Sequence, residues 1–574
     1  MALSVDALTR LSEALSRESQ ADLAVAVDGR NRRAQGIYFT PPALVSLVVS
    51  EALAAWTARR DLTFDGDGAP SLRVLDPAAG DGRFLAGATE VLTARAEAAG
   101  IDAEVARDAI LRTAILGFER DPELCAMARR RLPGATIYCV EALCDAPAVA
   151  PVDLVLGNPP YVRSIRLGQT DSDLRQRLRG KLFATSAGEW DLYGAFLEQS
   201  LQWLAPGGEI GLVVPSRWLT AAFAAPLRGH LAKRRAVRAI IDFGADQVFA
   251  NATTYASVAF LSRTPTGRID VARRGSGGWS TGTIESRTLG AAPWRLCIGR
   301  PRAVIEAMQR RGPRLGDIAR IVKGAGTNAD PVYVLEGARR QGDLVIGRSR
   351  AQEREVCVEA AVCPVCIRGR DVGAFSPPDE SVRCILPYGD DGRLIPPAEF
   401  LARAPRAAEY LASMRARLDA REGGRFRGDT FYRFGRPQTL AFHAAGEPKV
   451  VVPDVARGGR AMMDQSGALV LDSAYAVRLV AGAGPSLALV WAVLGSRAPA
   501  LWLSHTGIVL RGGYVRMKTA YLRSLPIPGP CPQTQAIEDC FVHSGTVWQA
   551  RASAGEIDDL VRQAYGVSAA DWAI

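Results

Sequence analysis

Between Arg73 and Arg263 the chain sets out seven short apolar runs, RVLD, AILGFE, ATIYCV, DLVLG, GEIGLVVP, VRAIIDF and ASVAFLS, each of strand length. From the first run onward the pattern alternates strand and helix. Strands separated by helices cannot pair as tight hairpins, so the pattern predicts a parallel sheet with helices on both faces. Right-handed crossovers then bring the strand carboxyl ends to one edge, where such sheets bind ligands. The chemistry of this chain is expected on that edge.

At 574 residues the chain exceeds one ordinary core, and two or three domains are expected. Residues 1–33 read as helix, with Leu8, Leu11 and Leu15 on one face, and residues 1–35 form an N-terminal helical segment. Residues 36–265 hold the sheet. In YFTPP, Thr40 is placed to cap the next helix and Pro41 to take its first position. Residues 266–314, which include GRIDVARRGSGGWSTG, read as a boundary. Residues 315–530 show short strand-like pieces and turns, a mixed α+β pattern, and residues 531–574 read as a C-terminal helical segment.

Charge is unevenly placed. Residues 311–530 hold 31 Lys and Arg against 21 Asp and Glu, an excess equal to the +10 of the whole chain. Such a region suits a polyanion, because neutralised phosphates release counterions. No stretch has the length of a membrane span, and the N-terminus lacks a signal-peptide layout. A cytoplasmic protein with no membrane partner is expected. Cys357, Cys363, Cys366 and Cys384 include one zinc-like Cys-Pro-Val-Cys spacing. The other two form no second close pair, so burial as small hydrophobes is the expectation and no metal is assigned.

Asp76 and the turn from Gly80 to Gly82 follow the first strand, where backbone N–H groups can meet a ligand at a helix start. The spacing is neither the dinucleotide fingerprint nor a phosphate loop. Glu119 ends the second strand, the usual place of an acid that accepts from ribose hydroxyls. The fourth strand ends in GNPPY, residues 157–161. Two prolines in succession remove N–H donors and hold the chain extended, while the carbonyls stay able to accept. The Asn158 side-chain carbonyl and the next backbone carbonyl, that of Pro159, can take both hydrogens of a planar NH₂ group. Its nitrogen lone pair then points at an electrophile, and Tyr161 offers a flat face for a base.

With these motifs in this order, the chain resembles the S-adenosylmethionine-dependent amino methyltransferases, most closely the gamma-ordered, TaqI-like DNA adenine-N6 methyltransferases. GIYFTPP, VLDPAAGDGRFL, GFERD, GNPPY and the run WDLYGAFLEQSLQWLAPGGEIGLVVPSRWL carry the resemblance, strongly over 36–265 and weakly over 315–528. It implies a Rossmann-like class I methyltransferase sheet followed by a target-recognition domain, with S-adenosyl-L-methionine as cofactor and double-stranded DNA as substrate. Carried over by position, Thr40 and the loop of Asp76, Pro77, Ala78, Gly80 and Gly82 hold the methionine end. Glu119, with Arg120 beside it, meets the ribose. Glu141 meets the cofactor's adenine, although the family usually has Asp there and Asp145 lies close by, and Phe196 packs on that ring. Asn158, Pro159, Pro160 and Tyr161 form the catalytic motif, and Phe249 in GADQVFANATTYASVAFL is placed opposite Tyr161 across the target base.

The resemblance favours adenine over cytosine N4, which the amino-group chemistry alone leaves open. It implies the modification component of a restriction-modification or phage-defence system, with a separately encoded endonuclease or defence subunit as a compatible partner. An rRNA or protein-glutamine methyltransferase with the same motif is the alternative, as is the modification subunit of a fused or multi-subunit restriction enzyme. In the basic region VCIRGRDVG resembles an element of these recognition domains, and REGGRFRG and RGGYVRMK are candidate phosphate contacts.

Overall fold

The computed structural model describes residues 5–22, 40–186, 188–244, 246, 248–249, 255–275, 278–444, 447–482, 484–507, 509–544 and 547–572. The chain divides into two compact units, Met1–Gly299 and Arg300–Ile574.

In the first unit the seven apolar runs become β1 (Val74–Asp76), β2 (Ile115–Glu119), β3 (Thr136–Cys139), β4 (Val152–Gly157), β5 (Leu204–Pro215), β6 (Val237–Asp242) and β7 (Ala256–Ser262). They lie in one sheet in the order 3-2-1-4-5-7-6. Strands β1 to β5 are parallel where they pair, and β7 runs antiparallel to both β5 and β6. The reversal has a local cause. No helix lies among the described residues between β6 and β7, and a parallel return needs a crossover.

Two apolar layers cover the sheet. One packs Val48, Val49, Leu85 and Ile110 from helices Pro42–Thr57, Arg83–Ala98 and Ala103–Thr113. The other packs Phe196, Leu197 and Leu231 from helices Leu192–Trp203 and Ala225–Arg234. The N-terminal helix Val5–Asp22 buries Leu8, Leu11 and Leu15 in the first layer. The rest of the N-terminal segment and GIYF of the leading motif lie outside the described residues.

The two units divide at Gly299, inside the expected 266–314 boundary, but residues 268–275 and 278–285 belong to the sheet and are not a linker. Strands β8 (Arg268–Gly275) and β9 (Gly278–Glu285) extend the sheet beside β6. Ile269, Val271 and Ala272 are buried while Arg268 is exposed and Arg273 and Arg274 are half-buried, so a hairpin at the sheet's edge presented a composition that reads as a linker.

The second unit is mixed α+β. One four-stranded antiparallel sheet joins Ala319–Lys323, Ala474–Leu479, Lys449–Pro453 and Met462–Asp464, and another is built on Val334–Gln341, Leu344–Ser349 and Arg354–Glu359. Its C-terminal end is not wholly helical, contrary to expectation. A hairpin, Phe541–Ser544 with Val547–Ala550, separates helices Pro532–Asp539 and Ala554–Tyr565; the run FVHS reads as weakly as strand as it does as helix.

Cys363, Cys366 and Cys384 are buried core residues. No single helix among the described residues is long and apolar enough to cross a membrane; the apolar pair Leu487–Gly495 and Ala498–Thr506 is bent by 67°.

Candidate functional site

A cavity of about 550 Å³ opens at the carboxyl ends of β1, β2, β3 and β4. The turn after β1 supplies its floor. Gly80 and Gly82 adopt left-handed φ of 57° and 86°, which only glycine takes without strain. A Cβ on Gly82 would also press on Ala128 and Leu132 at 3.3 and 3.2 Å. The turn brings Asp76, Pro77, Ala78, Gly80, Asp81 and Arg83 to the cavity wall.

Asp76 is buried and accepts from the backbone N–H of Ala78 at 3.0 Å. Burial pushes its carboxyl up to about 8, against the backbone N–H of Ala78 and with help from the neighbouring acids Glu119 and Asp81. Glu119 accepts from the N–H groups of Gly80 and Asp121, both at 2.8 Å, which ties the end of β2 to the glycine turn. Burial raises its carboxyl too, with those N–H groups opposing.

Glu141 lines the cavity, accepts from Leu143 N at 3.2 Å and meets Arg120 at 3.3 Å. Burial outweighs the arginine and raises its carboxyl. Asp145, the other candidate, stands away from the cavity on Arg177. Phe196 lies buried on the cavity wall.

Asn158 and Pro160 form the β4 edge of the cavity. Asn158 donates Nδ2–H to the Thr40 hydroxyl at 3.1 Å. That contact corrects the expected cap. Helix Pro42–Thr57 starts with Pro41 as its N-cap and no side-chain cap bond, and Thr40 serves the asparagine instead.

Tyr161 donates its hydroxyl to Val213 O at 3.3 Å and meets two rings edge-on, Tyr193 and Phe249, each with centroids 6.2 Å away. Phe249 is buried in the first apolar layer. The rings of Tyr161 and Phe249 therefore touch at 69° and do not face each other across a slot for a base. Buried aromatic rings gain by packing edge-on against a neighbour. Of the expected residues, Gly82, Pro159, Tyr161 and Phe249 do not line the cavity, and the others do.

Several lining residues were not anticipated. Arg83 sits inside the quoted glycine motif, just past the Asp76 to Gly82 run expected to hold the methionine end. Leu167, Thr170 and Asp171 belong to the short helices after GNPPY. Asp171 caps the second of these and pairs with Arg120 at 2.7 Å. A cap residue three positions before a leucine is a readable helix start, but nothing in it points to a cavity.

The donor set fits S-adenosylmethionine. Its volume suits one small molecule, acids end both β2 and the turn after β3, and the proton retained by Asp76 is one that a cationic ligand would displace.

Sheet order and cavity together fit a class: the class I S-adenosylmethionine-dependent methyltransferase fold. Residues 149–249, from the approach to β4 to Phe249, match the Eco57I restriction-modification methylase family. The chain is 25% identical over 545 residues to the Type II methyltransferase M.PaeR7I of Pseudomonas aeruginosa, covering 88% of each protein. It is 25% identical to the Type II methyltransferase M.XhoI of Xanthomonas vasicola over 69% of this chain and 73% of that protein. Its fold is similar to that of the Type IIL restriction-modification enzyme MmeI, solved in complex with DNA. The TM-score is 0.59 at 13% identity, over 94% of this chain and 78% of the other.

Proposed function

We propose that the chain methylates N6 of an adenine rotated out of double-stranded DNA, as the modification component of a restriction-modification or phage-defence system. The observation that carries this reading is the Asn158 amide, held by Thr40 at 3.1 Å on the rim of a cofactor-sized cavity. With its N–H on Thr40, the amide turns its carbonyl the other way.

That oxygen and the Pro159 carbonyl accept the two hydrogens of the exocyclic NH₂ group. The nitrogen then keeps its lone pair for attack on the sulfonium methyl; its new N–C bond forms as the C–S bond breaks, and the methylated nitrogen sheds one proton to solvent without a strong base. Rotating a base out costs a few kcal/mol, and stacking on Tyr161 offsets it. Phe249 joins that stack once it swings off Tyr161. Thr40 and the loop from Asp76 to Gly82 hold the methionine end of the cofactor, Glu119 with Arg120 the ribose side, and Glu141 and Phe196 the adenine. Bound S-adenosylmethionine supplies a methyl group made electrophilic by its sulfonium. Fixing amine and donor side by side replaces a bimolecular encounter, which lowers the barrier by several kcal/mol.

The basic second unit reads the DNA, with Lys and Arg on phosphates and major-groove edges. A separately encoded endonuclease is the partner this reading admits. The test is Asn158→Ala, with methyl transfer and DNA affinity measured on the same preparation. Transfer falls at least about a hundredfold, the cost of losing one oriented catalytic group, while DNA binding persists. Unchanged transfer overturns the role of Asn158.

A further inference from the structure

Besides the cavity, the carboxyl edge of the sheet carries two exposed arginines that flank Tyr161. Arg163 follows the tyrosine by two residues. The backbone on either side of it is locked: Ser164 N donates to Trp190 O at 2.7 Å, and Leu192 N to Val162 O at 2.8 Å. Val162 and Ser164 turn their side chains inward, so Arg163 between them faces out, paired through its backbone with Asp191.

Arg217 lies just beyond β5, the strand whose Val213 carbonyl accepts from Tyr161. In the turn Ser216–Leu219, Ser216 donates to Asp242 at 2.9 Å, and Trp218 and Leu219 are buried, which leaves Arg217 outward. Its guanidinium stands over the Phe223 ring, 5.3 Å from the centroid.

One acid feels both arginines. Burial raises the Asp191 carboxyl, against the pull of Arg217, Arg163 and the Tyr193 hydroxyl, with the exposed Glu189 adding to the rise. Neither arginine closes an ion pair with Asp191 or Glu189 among the described residues. Arg120, on the cofactor side, is by contrast held by two carboxylates.

An adenine rotated onto Tyr161 stays joined through its sugar to a phosphate on either side, so those phosphates come to the rim that holds Tyr161. A guanidinium meets a phosphate through two parallel N–H donors, and such contacts fix where the strand lies. We propose that Arg163 and Arg217 bind the two phosphates flanking the target base, which rests on the methylation of a rotated adenine proposed above. The first unit then carries part of the salt dependence of DNA binding.

The experiment uses the full-length protein, labelled S-adenosylmethionine and genomic DNA amplified in vitro, which is free of methyl groups and rich in short sites. kcat/KM for DNA is followed against salt. Arg163→Gln and Arg217→Gln each reduce the slope of log kcat/KM against log salt by about one, and the double variant by about two, one phosphate contact apiece. Each raises the KM for DNA about tenfold, while S-adenosylhomocysteine affinity by calorimetry stays within twofold of the parent. Arg163→Lys and Arg217→Lys keep the parental slope, because the charge remains.

A parental slope in either glutamine variant overturns the two-sided contact. So does a loss of S-adenosylhomocysteine affinity in step with the loss of methylation, which makes the arginines props of the fold. Absence of methylation by the unsubstituted protein overturns the DNA reading itself, and shows before any variant is compared.

Discussion

Asn158 donates to the Thr40 hydroxyl at 3.1 Å across 118 residues of chain, so the segment before the first helix of the sheet helps to set the orientation of the Asn158 amide. Thr40→Val keeps the shape and deletes the acceptor. Losing that hydrogen bond costs about 1–3 kcal/mol and loosens the orientation of the amide. The turnover number of Thr40→Val falls by about 10- to 100-fold, while Thr40→Ser stays near the parent. Single-turnover transfer at saturating cofactor is the measurement, because it separates amide orientation from cofactor affinity. Equal rates for the valine and serine variants would remove Thr40 from the orienting role.

Gly157 carries a second prediction. A Cβ at this position would stand 2.5 Å from Asp76 Oδ1, and Asp76 is buried and tied to Ala78 N. The carboxylate therefore has no easy way to yield. Gly157→Ala lowers stability by about 1–3 kcal/mol through overpacking and displaces the Asp76 side of the cavity. Urea unfolding and cofactor affinity both report it, and a variant with parental values in both would show that Asp76 can move.

The sheet was legible because each strand is a compact apolar run in a regular alternation. The turn after β1 and the end of β4 were legible because glycine and proline restrict backbone in ways few other residues do. What escaped reading is nonlocal. Nothing around Thr40 says that its hydroxyl is taken by a residue 118 positions away, and nothing around Asp171 says that Arg120 draws it to the cavity rim. The β8–β9 hairpin escaped because an edge strand exposes one polar face, which lowers its hydrophobicity to that of a linker. In the second unit, REGGRFRG offered three arginines as phosphate contacts, and one of them, Arg421, is buried. Charge in a sequence does not tell a clamp from a contact.

Arg421 gives a prediction of its own. It donates to the carbonyls of Leu418, Thr327, Arg433 and Phe431 at 2.9, 2.9, 3.0 and 2.6 Å and lies over the Phe426 ring. Its work is to tie three stretches of backbone together. Arg421→Met leaves those carbonyls without donors and destabilises the protein by at least about 2 kcal/mol. The salt dependence of DNA binding by the folded variant does not change slope, whereas loss of a phosphate contact would reduce that slope by about one. A reduced slope with unchanged stability would return Arg421 to the phosphate-binding group.

Lys449 and Asp464, both fully buried, form an ion pair within one sheet of the second unit. Lys449→Met leaves the buried Asp464 carboxylate without its ion-pair partner, holding only its hydrogen bonds from Ser466 and Ala468, and costs about 3–5 kcal/mol. The double variant Lys449→Met with Asp464→Leu recovers most of that loss in urea unfolding. Failure of the second substitution to recover stability would show that the pair is not the reason for the first loss.

The pH dependence of stability follows from Asp76. In the folded protein burial raises its carboxyl from the ordinary 3.8 to about 8, so between those values the folded state holds a proton that the unfolded state has lost. Stability must then fall as pH rises. The contribution is fully present below about pH 4 and is lost as pH climbs through about 8. Glu119 and Glu141 are raised by burial as well and act in the same direction, so the whole-protein slope does not isolate Asp76. Asp76→Asn does, since it keeps an acceptor for Ala78 N and cannot ionise. From pH 6 to pH 9, the cofactor-free parent loses about 3 kcal/mol relative to Asp76→Asn, measured as the difference between their urea unfolding free energies. Parallel curves for the two proteins across that range would mean that Asp76 is already ionised at neutral pH. The cavity would then meet a cationic ligand with a standing negative charge and release no proton on binding it.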